Sequence, residues 1–183
     1  MLKFKSDNVF FTSDLHLGHA NILKYQKNRN FNTLDEMNDA IIENINKKVS
    51  QDSYLINLGD FAFSSDALEF SKRIKCYQIF VLGNHDKQIP NGCFEQVYNY
   101  LEVSVDKIDI MLFHYPMEEW NKSLYKSYHL HGHCHGNLAT DNTKLRLDVG
   151  IDNHPNLEPF SFKEVKDIMA KKMFAPHHQK ETK

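Results

Sequence analysis

Residues 9–12, 54–58 and 78–82 form compact apolar runs of four or five positions, each ending in polar residues, and they read as short strands. Between them the period changes. Leu34, Met37, Ile41, Ile45 and Val49 recur at helical spacing, which predicts a helix over 34–49. Thr33, with Glu36 three positions on, sets a capping box at its start. Shorter helices are expected over 20–26 and 67–75, the second with Asp66 and Glu69 placed to cap it. After this β-α-β-α-β opening the pattern turns to hairpins. Runs over 103–105 and 108–113 flank Asp106-Lys107, and further strands are expected over 128–130 and 145–149. A last helix over 162–173 follows Ser161 and Glu164, a second capping box. Parallel strands first and hairpins later predict a layered α/β domain of mixed sheets with helices outside.

Composition keeps this to one domain. The chain has 183 residues, 41% of them hydrophobic, and its 7 glycines and 5 prolines form no linker. The expected organisation is a domain over 1–172 and a polar tail over 173–183 carrying His177 and His178. With 22 Lys and Arg against 24 Asp and Glu, the net charge of −2 calls for neither a polyanionic nor a membrane partner. Nucleic acid enters only as a substrate. No apolar run nears the roughly 18–20 residues of a membrane span, and Lys3, Lys5 and Asp7 interrupt any secretory signal. A cytoplasmic protein is expected, with Cys76, Cys93 and Cys134 as reduced thiols. Histidine alone is unusual, at 11 residues.

Those histidines cluster where strands end. The expected strands lead in turn to Asp14-Leu15-His16, Gly59-Asp60, Gly83-Asn84-His85-Asp86, His114-Tyr115-Pro116 and Gly132-His133-Cys134-His135. Carboxyl ends of strands are where loops converge over one crevice in α/β sheets. Asp14 and His16 are two apart, as are His133 and His135, so in extended backbone each pair faces one way while Leu15 and Cys134 face another. Carboxylate, carboxamide and imidazole together suit Mn, Fe, Co, Ni or Zn better than Ca or Mg. Seven such residues exceed the needs of one tetrahedral centre, so two ions sharing a carboxylate are the economical reading. Taken singly, Asp14 reads more readily as a cap or turn residue, Gly59-Asp60 and Gly83-Asn84 as turns and His114 as a packed core histidine, while His133 and His135 already make a chelating pair. The joint occurrence of all of them at strand ends in this order is what points to a site.

In that order the residues resemble the calcineurin-like metallophosphoesterases, over about residues 9–150, and in particular small members without a cap domain. The resemblance implies a four-layer α/β/β/α sandwich with a dinuclear site. It implies a first ion on Asp14, His16, Asp60 and His135 and a second on Asp60, Asn84, His114 and His133, with Asp60 as bridge. Two divalent ions, Mn foremost and Fe, Ni, Co or Zn as alternatives, are the expected cofactors. His85 would be the catalytic histidine that acts on the leaving group, oriented by Asp86. Two departures stand out: Phe61, Ala62 and Phe63 follow Gly-Asp where many members carry a further Asp, and Cys134 replaces the usual Thr or Ser.

Arg29 and His19 lie in segments able to fold over such a site, as candidate substrate contacts. The alternative for Arg29 is a solvated side chain, and for His19 a helix cap. His129 and His131 read as packed or supporting residues. The expected activity is hydrolysis of small phosphodiesters or nucleotides by attack of a hydroxide activated by two metals. The alternatives are a phosphomonoesterase or a non-catalytic metal-binding scaffold of the same fold, and the presence of His85 argues against the scaffold. A histidine-rich metal store is disfavoured because the ligands are dispersed over five segments.

Overall fold

The computed structural model describes residues 1–63, 66–87, 90 and 92–174. Among the described residues ten strands form two five-stranded sheets. The first sheet runs β1-β6-β7-β8-β9, from Leu2–Phe4, Leu101–Val105, Ile108–Leu112, Tyr128–His131 and Arg146–Asp148. The second runs β10-β2-β3-β4-β5, from Phe160–Ser161, Val9–Thr12, Tyr54–Asn57, Tyr77–Val81 and Gln96–Tyr98. Both are mixed. In the second sheet β2, β3, β4 and β5 pair in parallel and β10 joins antiparallel. In the first sheet the β6–β7 hairpin is antiparallel, and β1, β8 and β9 add in parallel.

The apolar runs are continuous because β2, β3 and β4 are covered on both faces. Val9, Phe11, Ile56, Ile79 and Val81 face the other sheet, meeting Val103, Val105, Ile110, Leu112 and Leu130. Leu55 and Phe80 point the opposite way, into a second core with Met37, Ile41, Ile42 and Ile45 of helix α2 (Leu34–Lys48) and Ala67 of α3 (Ala67–Arg73). Helix α4 (Phe162–Met169) sends Phe162, Val165 and Met169 into the core between the sheets. The result is two mixed sheets flanked by helices.

Three strands lack a signal in the sequence: β1, β5 and β10. Each is two or three residues long and lies at a sheet edge, where one neighbour and partial exposure leave no apolar run to detect. The helix expected over 20–26 shrinks to α1, Ile22–Tyr25, which has no side-chain cap. At α2, Thr33 Oγ1 accepts from Glu36 N at 3.1 Å, but Glu36 reaches Asn32 N rather than closing the box on Thr33. Asp66 makes no side-chain cap. Asp106 and Lys107 both take positive φ, 47° and 70°, as the right-handed twist of a tight hairpin requires. The tail expected over 173–183 lies outside the described residues, His177 and His178 included, except for Met173 and Phe174. Phe174 packs on the inter-sheet core.

The capping box at Ser161 is complete. Burial raises the pKa of Glu164, but hydrogen bonds from Ser161, Lys48 and His154 outweigh it and hold the carboxyl down at about 2, below its ordinary 4.5. A carboxylate depressed on folding adds stability above its unfolded pKa, and that stability is lost as pH falls through the folded value. Wild-type stability should therefore drop between about pH 4.5 and about 2 in part through this group. Urea melts across that range should show a flatter acid limb for Glu164→Gln.

Candidate metal centre

Every candidate ligand sits just past a strand, and five of the seven occupy left-handed backbone. Asp14 (φ 58°), His16 (49°), Asp60 (54°), His133 (69°) and His135 (48°) all lie in a region that costs non-glycine residues of order 1–3 kcal/mol each. The i, i+2 pairs are thus not extended, which corrects the geometric basis expected for them. The turns are held by cross-loop hydrogen bonds: Asp14 N donates to Gly59 O at 2.9 Å, His16 N to Asp60 O at 3.0 Å and Leu17 N to Phe61 O at 3.0 Å. Glycine is needed where the loops touch. A methyl group added at Gly83 would strike the backbone and carboxylate of Asp60 and the carboxylate of Asp86.

The seven side chains are brought together. Ligand-type atoms of Asp14, His16 and His135 lie within 4.8 Å of one another, as do those of Asp14, Asp60 and His114. One oxygen, Asp60 Oδ2, stands 3.7 Å from His16 Nε2 and 3.6 Å from His114 Nε2. Asn84 Oδ1 lies 2.9 Å from His114 Nε2 and 3.0 Å from His133 Nδ1. His133 and His135 diverge: the first meets Asn84, the second meets His16.

The proton positions argue for a cation. His114 Nδ1 faces the Leu58 carbonyl at 2.7 Å and must donate to it, leaving a lone pair on Nε2 towards Asn84 and Asp60. His135 Nδ1 faces Asp152 Oδ2 at 2.7 Å, so its Nε2 lone pair points at His16 Nε2, 3.2 Å away. His114 Nε2 and His135 Nε2 thus present lone pairs into a cluster that also holds two carboxylates and a carboxamide oxygen, an arrangement that a divalent ion satisfies. Asp14 is fully buried, and burial foremost drives its pKa up to about 8, eased by His135 and worsened by Asp148 and Asp60. Burial, with His135 and Arg29 nearby, pushes His16 down to about 2. Burial likewise lowers His114, against the pull of Asp60. This donor set fits divalent metal ions.

Two expected roles are corrected. Arg29 is 1% exposed and holds no phosphate. Its guanidinium donates to Asp152 Oδ1 and Oδ2 at 2.7 and 2.9 Å, to Asp14 O at 2.6 Å, to Leu15 O at 2.7 Å and towards Met37 Sδ at 3.8 Å. A guanidinium has five N–H donors, so none remains for a ligand. Asp86 does not orient His85 either. Its carboxylate accepts from the backbone N–H of Asp60, Gly83 and Phe61 at 2.6, 2.8 and 3.1 Å, tying the two loops together. Burial raises its pKa in spite of these bonds.

His85 donates its backbone N–H to Asp60 Oδ1 at 3.0 Å, and its ring, 43% exposed, places Nε2 4.0 Å from Asp60 Oδ2. His19 is not a side-chain cap. Its ring stacks on Phe63 at 4.2 Å and lies 5.6 Å from His16. His129 and His131 are buried, with His129 accepting from Met117 N at 3.0 Å. Cys134 faces away from the cluster, beside His131 and Asp148.

Asp152 is the residue that sequence reasoning missed. Burial would raise its pKa, but the bonds from His135 and Arg29 bring it to about 2. In return, although burial disfavours the imidazolium, Asp152 and Asp14 raise the pKa of His135. A signal was available, since the run over 145–149 is a sixth strand end and leads to Gly150-Ile151-Asp152.

A family model described as calcineurin-like phosphoesterase matches residues 8–171. An uncharacterised protein of Methanocaldococcus jannaschii is 32% identical over 133 residues, 70% of this chain and 70% of that one. The gene 66 protein of Mycobacterium phage D29 is 26% identical over 88% of this chain and 96% of its own length. Among solved structures, a protein of unknown function from Aquifex aeolicus shares the fold, with TM-score 0.67 and 21% identity over 88% of this chain and 98% of the other.

Proposed function

This chain belongs to the calcineurin-like phosphoesterase family, whose members are metal-dependent hydrolases of phosphate esters, and from that premise we propose that it is a dinuclear phosphodiesterase. One ion is held by Asp14, His16, Asp60 and His135 and the other by Asp60, Asn84, His114 and His133. The observation that carries this reading is Asp60 Oδ2, which lies 3.7 Å from His16 Nε2 and 3.6 Å from His114 Nε2, one imidazole from each sheet. When bound, the ions supply positive charge for the phosphate oxygens and an acidified water for attack on phosphorus.

The chain's own groups do the rest. Asp60 Oδ1 fixes the His85 backbone, and the half-exposed His85 imidazole can approach a departing oxygen from solvent and give it a proton. Asp152, itself clamped by Arg29, holds His135 in the tautomer that presents Nε2 to the first ion. Exposed His133 and half-exposed His85 leave the site open at the surface, which suits a phosphate substituted on two sides better than an enclosed monoester. Mn is the preferred ion, small phosphoesters or nucleotides are the substrates, and the compartment is the cytoplasm. Reading the same site as a phosphomonoesterase or a scaffold requires a different substrate profile or none.

The test is metal analysis with a substrate panel. Protein loaded with Mn or Zn should approach two ions per chain and hydrolyse bis-p-nitrophenyl phosphate or cyclic nucleotides in preference to an aryl monoester. A single ion on titration would sink the dinuclear reading. A clear preference for the monoester would make the protein a phosphatase, and no hydrolysis by loaded protein would make it a scaffold.

A further inference from the structure

Exposed aromatic rings beside a polar centre offer faces on which a nucleobase can stack. Two such rings border the cluster, one against His114 and His133 and the other against His85 and His19. Tyr115 is 40% exposed, with its ring 4.6 Å from that of His133 and 5.1 Å from that of His114. It continues outward through Phe113 at 5.7 Å to Tyr100, 6.4 Å further and also 40% exposed. On the other side Phe63 is 47% exposed, 4.9 Å from His85 and stacked on His19 at 4.2 Å with an interplanar angle of 14°. Phe63 lies among the positions where the sequence departs from a carboxylate, so an apolar face replaces a charge next to the proposed proton donor.

We propose that Tyr115 and Phe63 form a split stacking platform that selects single-stranded dinucleotides and short oligonucleotides, one base on each ring, with the scissile phosphate between them at Asp60. The proposal rests on the phosphodiesterase reading and adds the substrate class to it. A diester centred on Asp60 carries one substituent towards the His133 side and one towards the His85 side, and each meets an exposed ring. Bases stack on aromatic side chains whatever their sequence, because every base has a π-face. His19 stiffens the Phe63 ring from behind, which gives that residue a supporting part rather than a phosphate contact. The net charge of −2 argues for short substrates, since a long polyanion needs a basic track.

The experiment compares two esters with one leaving group, thymidine 5′-(p-nitrophenyl phosphate) and methyl p-nitrophenyl phosphate, on metal-loaded protein. Wild-type should favour the thymidine ester. The ratio of kcat/KM for the two should fall about 5- to 100-fold in Tyr115→Ala, the ring left to the thymine, mainly through KM, while Phe63→Ala, beside the leaving group, should lower kcat/KM for both esters alike; Tyr115→Phe and Phe63→Tyr should behave as wild type. Metal content of each variant is measured alongside. An unchanged ratio in Tyr115→Ala overturns the platform while leaving the phosphodiesterase standing. If no ester is hydrolysed at all, that reading fails, and binding of a dinucleotide containing 2-aminopurine decides the platform separately. Fluorescence quenching that both alanine variants lose supports it, whereas no quenching, or quenching they keep, overturns it.

Discussion

Asp60→Asn protein should fold, bind less than its full metal complement and lose activity by about three orders of magnitude, while His85→Gln should lose turnover alone. The amide is isosteric and keeps an oxygen to accept from the His85 N–H, now at 3.0 Å, so the loop is preserved. What disappears is the negative charge between His16 and His114, at 3.7 and 3.6 Å. On the proposed dinuclear reading that carboxylate would neutralise both ions, and several kcal/mol of lost metal affinity and transition-state stabilisation would amount to about a thousandfold in rate. The His85 ring meets the cluster from its exposed edge, so its replacement should remove only the proposed proton donor, a loss of about 10²- to 10⁴-fold, and leave metal content near wild type. Metal analysis and steady-state kinetics on both variants check the division. Full turnover, or lost metal, in His85→Gln would remove its assignment.

The second large effect is on stability. Arg29→Met should destabilise the fold by about 3–5 kcal/mol, because removing one member of a buried ion pair strands the other. The Arg29 and Asp152 side chains are 0% and 2% exposed, and the same guanidinium also satisfies the carbonyls of Asp14 and Leu15 in their strained turn. Arg29→Lys should recover little, since a single ammonium cannot reproduce the fork. The double variant Arg29→Met/Asp152→Leu should recover part of the loss in stability while still weakening metal binding, because His135 loses its orienting carboxylate. Urea denaturation with metal titration separates the two. Wild-type stability in Arg29→Met would show that these five contacts contribute nothing net.

The strand ends were legible because short runs buried on both faces must be apolar throughout, so the first polar residue after each one marks where the chain leaves the sheet. Hence Asp14, His16, Asp60, Asn84, His114, His133 and His135 could be named together, with helix α2 and the Asp106-Lys107 hairpin, from local pattern alone. The short edge strands β1, β5 and β10 could not, because two or three residues are too few to carry a period.

The amino-acid sequence by itself determined the seven donor residues that gather at the centre, though not Asp152 behind them, and the longer secondary elements that carry them, since these follow from burial pattern. Only the tertiary structure decided what several of the residues around them do. Arg29 turned inward because Asp152 and two strained carbonyls, 14 to 123 positions away, offered its guanidinium every partner it needs. Asp86 spent its carboxylate on the backbone of another loop, 25 and 26 positions away, rather than on its neighbour His85. The left-handed backbone at Asp14, His16, Asp60 and His133 is likewise held by hydrogen bonds to other loops. A local pattern records what a residue can offer. Which acceptor lies within reach is set by chain segments far away in sequence, and appears only once the two sheets have packed.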